Sequence, residues 1–168
     1  MTAEEYSEAV KLWRSDVLHF ALRCGGSRSD SEDAVQEALA SLWSHRGEIG
    51  VERGKRYLMG AAYRRLMHTF RHRRVEQAHA DAEQRLAQPL TQPDESFDLR
   101  EAVERSLKSL PEVQRAILQL RDVEGYSYRE IGETLGIDDD RVQVYLFRAR
   151  VAMRKQLIAL GYDEYKRQ

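Results

Sequence analysis

The sequence has one cysteine, Cys24, and only three prolines among its 168 residues. A single thiol cannot form an internal disulfide and cannot alone build a metal site, so we expect a reducing compartment. The scarcity of proline and of β-branched runs favours helices over sheet. No apolar run reaches the roughly 18 residues of a membrane helix, and no basic-then-apolar leader opens the chain. These absences predict an all-α, cytoplasmic protein without membrane insertion.

The formal net charge of −1 conceals a strong segregation of charges along the chain. Residues 53–74 contain eight basic residues and no acidic one, whereas residues 76–104 contain eight acidic residues against two arginines. Residues 141–155 contain five basic residues and again no acidic one. Two basic blocks separated by an acidic block predict two polyanion-facing surfaces joined by an acidic connector.

The spacing of apolar residues predicts three helices in the first part of the chain. Two of them cover about residues 2–23 and 29–43. The second begins with Ser29 and Glu32, which are three residues apart as in a capping box. The third is a long basic helix that follows a loop containing glycines. These helices together predict one small helical domain.

Composition sets the boundaries of this domain and of a second one. The glycine-containing loop covers residues 44–54, and the basic helix ends near Arg74. We therefore assign residues 1–75 to the first domain. Residues 76–96 are rich in Gln, Ala and Asp and include two prolines, which is typical of a flexible linker. Residues 97–168 form the second helical domain.

The second domain carries the pattern of a helix-turn-helix, two helices joined by a turn of about four residues that contains glycine. Ser127 and Glu130 form a capping box before the supporting helix, residues 128–135. Gly136 is the left-handed stop, and the reader helix begins near Asp139. The core face of the reader helix is predicted to comprise Val142, Leu146, Ala149 and Met153.

The opposite face of the reader helix mixes polar, apolar and basic side chains. Its members are Gln143, Val144, Phe147, Arg148, Val151, Arg154 and Lys155. Three large apolar residues do not belong on a solvated face, so we expect it to be covered. A DNA major groove suits it, because glutamine pairs with adenine, arginine with guanine or phosphate, and apolar groups with thymine methyls. The alternative is packing against a helix of another protein.

The basic helix predicts a second nucleic-acid surface. Arg64, His68 and Arg71 fall on the face away from its apolar residues. No acidic residues interleave, so no lacing by salt bridges is expected. Tyr57 and Tyr63 lie among the basic residues, and this mixture suits single-stranded DNA, which binds through base stacking and phosphate charge.

The sequence offers no convincing catalytic or metal site. It shows no paired carboxylates, no nucleophile placed with a base, no phosphate loop and no metal cluster. His68, His72 and His79 lack the cysteines and the spacing of a zinc site. We expect no enzymatic activity, no cofactor and no metal.

Several stretches form an ordered set of motifs. Residues 31–38 read SEDAVQEA and are followed by Leu42-Trp43, residues 57–74 form the basic helix, residues 110–131 run from LPE to LRDVEGYSYREI, and residues 148–150 read RAR. In this order and spacing they resemble regions 2 and 4 of the extracytoplasmic function (ECF) sigma factors of the sigma-70 family. The resemblance covers most of the chain.

The resemblance implies two small helical domains, region 2 and region 4, that act with core RNA polymerase and promoter DNA. Asp33, Gln36 and Glu37 would lie on the helix that docks on the clamp of the largest polymerase subunit. The loop at 44–54 and the basic helix, with its residues 57, 64, 68 and 71, would hold the minus-ten element. An anti-sigma protein would silence the factor, and no obligate homo-oligomer is expected.

The resemblance also assigns the reader helix to duplex DNA at the minus-thirty-five element. Gln143, Val144, Phe147 and Arg148, with Tyr145 beside them, would read that element. The basic residues at 154 and 155 would meet the phosphate backbone.

The sequence departs from the family pattern at sites that contact DNA. Tyr57 stands where the family has tryptophan, Arg64 where asparagine is usual and His68 where aspartate is usual. These departures leave the promoter sequence open.

Two other functions fit the residues without the resemblance. A conventional helix-turn-helix regulator would be a dimer that binds palindromic half-sites. An interaction protein, such as an adaptor or an anti-sigma factor, would use its helical surfaces for protein alone.

Overall fold

A computed structural model describes residues 1–80 and 98–162, without the side chains of residues 78–80. Within this part of the chain every regular element is helical, which confirms the all-α prediction. The predicted linker lies outside the described residues from residue 81 onward, as do residues 163–168 of the predicted second domain.

The described elements form two helical bundles. They are α1 (Ala3–Arg23), α2 (Arg28–Ser44), α3 (Val51–Ala80), α4 (Leu99–Lys108), α5 (Glu112–Leu118), α6 (Tyr128–Leu135) and α7 (Asp139–Ala159). Helices α1, α2 and α3 pack on one another and form the first bundle, whereas α7 packs on α4, α5 and α6 in the second bundle. A short π-helical turn, Gln119–Val123, continues α5.

The start of α2 differs from the prediction. Ser27, not Ser29, is the N-cap, and its Oγ accepts a hydrogen bond from the backbone N–H of Asp30 at 3.1 Å. Gly25 ends α1 with a φ of 105°, a conformation that suits glycine. The chain thereby reaches the extended backbone of a cap two residues earlier than predicted, and Ser29 lies inside the helix.

The loop before α3 is shorter than predicted, because α3 already begins at Val51. Gly54 belongs to the helix and packs under the indole of Trp13: a Cβ at Gly54 would lie 2.6 Å from Cζ3 of that ring. At its other end α3 continues to Ala80, five residues beyond the predicted boundary of the first domain. Gly54 therefore permits two helices to approach closely and is not part of a loop.

The core of the first bundle lies where the three helices meet. Its large, almost wholly buried side chains are Val17, Phe20, Val35, Leu42, Leu58, Met59 and Leu66. Burial of each such side chain contributes on the order of 2 kcal/mol. Tyr63 belongs to this core and is only 8% exposed, so the prediction that it stacks on DNA bases is wrong.

The helix-turn-helix forms as predicted. The capping box of α6 is complete, with Ser127 and Glu130 each accepting from the other's backbone N–H. Gly136 is left-handed at φ 71° and ψ 37°. On α7 the predicted core residues are buried, except that the last, Met153, is half-buried. Asp138 is the N-cap of α7, and its side chain makes no capping hydrogen bond.

The two bundles pack against each other through α3 and α6, and through α1 with α4 and α5. Their buried residues form one continuous apolar cluster, which includes Leu66 of the first bundle and Ile131 of the second. Of the described helices, none combines the length and the apolar character that crossing a membrane requires.

Candidate nucleic-acid interface

The outer face of α7 is open to solvent. All six of its residues in the predicted DNA-reading set are exposed: Gln143, Val144, Phe147, Arg148, Arg154 and Lys155. The ring of Phe147 is the most exposed of the large apolar groups here, at 70%, and Val151 continues the apolar stripe toward the end of the helix. The face therefore offers side chains for base edges, for thymine methyl groups and for phosphates on a single helix.

Tyr145 lies apart from this face. Its ring is half-buried and packs against the common core, because the direction of its side chain differs by about 100° from that of the neighbouring exposed residue. The structure therefore groups Tyr145 with the packing residues of α7.

The outer face of α3 also carries exposed predicted residues. Arg64, His68 and Arg71 all project into solvent. The rings of His68 and His72 meet edge to face with centroids 4.7 Å apart. In the described part of the chain, no group of three or more possible metal-ligating side chains surrounds them.

An open cleft of about 370 Å³ lies where the loop before α3 meets the start of that helix. Tyr57 stands at this cleft, and its hydroxyl is 2.6 Å from Ser41 Oγ and 3.4 Å from His45 Nδ1. These two contacts tie the ring to the end of α2 and leave the cleft with an aromatic wall. Arg64 lies seven residues, about two turns, further along the same side of α3 and supplies a cation.

The predicted polymerase-binding residues share the exposed side of α2. Asp33, Gln36 and Glu37 are all exposed, and the Glu37 carboxylate lies 3.1 Å from Nε of Arg65. Trp43 follows the buried Leu42 on this helix, but its indole is 41% exposed.

Trp43 is instead part of a surface groove that includes Gln36. Tyr6 meets its ring edge to face at 5.0 Å, and the guanidinium of Arg46 stacks over it at 3.8 Å. Its spacing of seven residues from Gln36 places both on one side of the helix, and that spacing was visible in the sequence.

Basic residues of α3 form salt bridges with acidic residues, contrary to the prediction. Lys55 Nζ lies 2.8 Å from carboxylate oxygens of both Asp16 and Glu124. Burial acts to lower the pKa of Lys55, but its hydrogen bonds to these two carboxylates prevail, so the pKa is raised. The prediction considered only neighbours along α3, whereas Asp16 belongs to α1 and Glu124 follows the π-helical turn.

A further pair joins α2 to the end of α3. Two guanidinium nitrogens of Arg73 donate to the Asp30 carboxylate at 2.5 and 2.7 Å. This hydrogen bonding holds the pKa of Asp30 below its usual value. Arg74 pairs in turn with Glu112 at the start of α5.

Cys24 follows α1 and is completely buried as a free thiol. Burial raises the pKa of its thiol, so the reactive thiolate is suppressed.

Two family descriptions match the chain in the order of the two bundles. "Sigma-70 region 2" matches residues 9–76, and "Sigma-70, region 4" matches residues 100–153. The first match covers most of α1–α3, and the second extends from α4 through most of α7.

Whole-length relatives agree with these matches. The ECF RNA polymerase sigma factor SigL of Mycobacterium tuberculosis is 30% identical over 158 residues, which cover 91% of this chain and 86% of that protein. The RNA polymerase sigma-E factor of Streptomyces coelicolor is 29% identical over 164 residues, covering 95% of this chain and 89% of that protein.

A solved structure shares the fold. The sigma factor RpoE of Bartonella quintana, crystallised in complex with the anti-sigma factor NepR, aligns with a TM-score of 0.74 at 21% identity. The alignment covers 93% of this chain and 98% of that chain. Sigma factors are not enzymes, and the family matches favour this class over the helix-turn-helix regulator and the adaptor. The chain belongs to the ECF family of RNA polymerase sigma factors, which bind core polymerase and direct it to promoters.

Proposed function

We propose that this sigma factor holds promoter DNA at two surfaces, one on each bundle. The outer face of α7 reads the minus-thirty-five element as duplex through Gln143, Val144, Phe147 and Arg148. The observation that carries this assignment is the exposure of large apolar groups among polar and basic ones on one helix face. Large apolar groups on a helix face that stays in water cost free energy. Contact with thymine methyl groups would remove them from water.

The second surface is the cleft before α3 and the outer face of that helix. Tyr57 offers a ring on which an unstacked base of the minus-ten strand can lie. Arg64, His68 and Arg71 follow along the helix, and the two arginines supply cations for the phosphates of the same strand. Base unstacking costs a few kcal/mol, and stacking on protein offsets about 1–3 kcal/mol per base.

Core polymerase binds the exposed side of α2 in this proposal. Asp33, Gln36 and Glu37 supply polar contacts, and the adjoining Trp43 supplies apolar area. Tryptophan is enriched among the residues that dominate binding energy at protein interfaces.

We also place the protein in the cytoplasm, where its polymerase partner works, under the control of an anti-sigma factor. The support is the shared fold with a sigma factor that was solved with its anti-sigma partner. The stripe of Val144, Phe147 and Val151 gives such a partner an apolar surface that DNA would otherwise cover.

The decisive experiment is transcription in vitro with purified core polymerase on a promoter library. Wild-type chain should support initiation that core polymerase alone does not. The variants Phe147→Ala with Arg148→Ala, and Arg64→Ala with Arg71→Ala, should each lower initiation at least tenfold while still binding core polymerase. Arg28→Ala with Arg100→Ala removes two exposed arginines elsewhere and should leave initiation unchanged. Absence of polymerase-dependent initiation by the wild type would contradict the proposal.

A further inference from the structure

Asp140 lies on the outer face of α7, the face that carries the exposed apolar stripe. It precedes Phe147 by seven residues and Val151 by eleven, so at about 100° per residue its direction differs from both by only about 20°. Its side chain is exposed, as theirs are. The outer face therefore begins with a carboxylate, three residues before Gln143.

The neighbouring aspartate lies on a different side of the helix. Asp139 is the first residue of α7, and its Oδ1 is 3.3 Å from the position that a Cβ at Gly132 of α6 would take. This carboxylate therefore lies against the supporting helix. Both aspartates belong to the first turn, where the helix dipole favours a negative charge. Of the two, Asp140 alone lies on the outer face.

The carboxylate of Asp140 has no partner among the residues that the structure describes. It forms no ion pair with them and accepts no hydrogen bond from them. Asp122 of the same bundle differs, because its carboxylate pairs with Arg150 at 2.7 Å. Asp140 therefore brings an uncompensated negative charge to the face that we assign to duplex DNA.

A carboxylate on a face that enters a DNA groove is unfavourable unless a base compensates for it. Duplex DNA carries one negative charge per about 1.7 Å of its axis, so the backbone repels Asp140 at every sequence. The N-terminal residues of a recognition helix are the ones that reach base edges. Because an ionised carboxylate only accepts hydrogen bonds, the compensating base must present a donor.

The major groove offers such a donor on two bases, the amino groups of cytosine and adenine. The adenine amino group lies beside the N7 acceptor, which repels a carboxylate. Guanine presents two acceptors, and thymine presents an acceptor and a methyl group. Cytosine presents its N4 amino group with no acceptor on the same base, so it is the base that a carboxylate favours.

We propose that Asp140 determines promoter specificity by accepting a hydrogen bond from the N4 amino group of a cytosine in the minus-thirty-five element. The carboxylate attracts this base and repels the acceptors of the others, so both effects contribute to discrimination. The inference deepens the proposed function and rests on the assignment of the outer face of α7 to duplex DNA.

The geometry of α7 also limits where the cytosine lies. Asp140 and Gln143 are separated by three residues, or about 4.5 Å along the helix axis, and successive base pairs are about 3.4 Å apart. The cytosine should therefore lie within two base pairs of the pair that Gln143 contacts.

The test replaces the carboxylate by an amide of the same shape. Asparagine pairs with N6 and N7 of adenine, so Asp140→Asn should exchange a preference for cytosine for one for adenine. Asp139→Asn is the matched control, because it makes the same change of charge in the same helical turn on the side of α6. Each protein, with core polymerase, transcribes a promoter of the wild type whose minus-thirty-five element is randomised. A barcode in each transcript identifies its promoter.

We expect the wild type and Asp139→Asn to favour cytosine at least fivefold at one position. Asp140→Asn should favour adenine over cytosine at that position and keep the wild-type preferences elsewhere, which shows that the reader helix is intact. Gln143→Ala should relax a different position, no more than two base pairs away. Unchanged preferences in Asp140→Asn would overturn the proposal, and so would the same exchange in Asp139→Asn.

Asp140→Ala gives a second measurement, because it removes attraction and repulsion together. Initiation from the promoter with the favoured cytosine should fall at least threefold, whereas initiation from promoters without it should rise. A uniform change over all promoters would overturn the proposal. Failure here is distinct from failure of the proposed function, since the wild type would still initiate with polymerase and Phe147→Ala with Arg148→Ala would still lower initiation.

Discussion

Gly60 in α3 faces the backbone carbonyl of Thr134 in α6 so closely that no larger residue fits between the two helices. Thr134 is itself buried, and its hydroxyl donates to the Glu130 carbonyl at 2.7 Å, which fixes it within α6. Neither backbone can yield locally. The distance between the two bundles at this point is therefore set by the absence of a side chain.

Replacement of Gly60 by alanine should open the crossing. The new methyl group forces α6 away, and alanine at the same time favours α3 by about 1 kcal/mol, so the first bundle remains folded. X-ray scattering should report a larger radius of gyration than in the wild type. Gly47→Ala is the control, because no atom lies within 4 Å of a Cβ at Gly47. A Gly60→Ala protein as compact as the wild type would contradict the expectation.

Phe147→Ala separates recognition from stability. The ring is 70% exposed, so the free energy of unfolding should change by less than about 0.5 kcal/mol. Polymerase-dependent initiation should fall at least fivefold, because the ring no longer covers apolar atoms of the DNA. Leu12 on α1 is also 70% exposed, and Leu12→Ala should leave both quantities unchanged. Equal effects of Phe147→Ala and Leu12→Ala on transcription would contradict the proposed contact between the outer face of α7 and promoter DNA.

Ser27→Ala should destabilise the protein by about 1 kcal/mol, because it removes the oxygen that accepts from Asp30 N–H at the start of α2. Ser29→Ala should have almost no effect, since Ser29 lies inside the helix and is exposed. Urea unfolding followed by circular dichroism measures both. A larger loss of unfolding free energy for Ser29→Ala than for Ser27→Ala would support the capping box of Ser29 and Glu32 that the sequence predicted.

Asp30→Asn should change the pH dependence of stability. The pKa of Asp30 is lowered in the folded protein from a reference of 3.8, so its carboxylate form stabilises the fold. That contribution is complete above the reference pKa and is lost as pH falls through the lower, folded pKa. The difference in unfolding free energy between wild type and Asp30→Asn should therefore be largest near pH 6 and shrink below pH 4.

Arg73→Ala supplies the partner for this comparison. It removes the guanidinium that donates to Asp30, and it should flatten the same part of the pH profile. The two substitutions together should cost less than the sum of their separate costs, because they share one interaction. If the losses of unfolding free energy from the two substitutions are strictly additive, the ion pair between Asp30 and Arg73 is not the cause of the pH dependence.

Local signals in the sequence predicted the helix-turn-helix well. The capping box of Ser127 and Glu130, the left-handed Gly136 and the period of α7 all depend on neighbours within a few residues. The exposed reading face followed from the same period, because burial of one stripe leaves the opposite stripe outside.

What the sequence could not predict depends on partners that are far apart along the chain. Gly54 was taken for part of a loop because its true reason, the indole of Trp13, belongs to another helix. Tyr63 was read as a DNA-facing ring because basic residues flank it, whereas its direction on α3 points into the core. The acids that pair with the basic helix come from α1 and α2 and, in the second bundle, from α5, α6 and the segment between them. Periodicity describes one helix at a time and carries no information on such pairings.

The close approach of α3 and α6 has a consequence for tolerance to substitution. The atom nearest to a Cβ at Gly60 is the backbone oxygen of Thr134, at 2.9 Å, and every residue that could replace Thr134 carries the same oxygen. A second substitution at position 134 therefore cannot make room for a side chain at position 60, and only a shift of the backbone of α6 can.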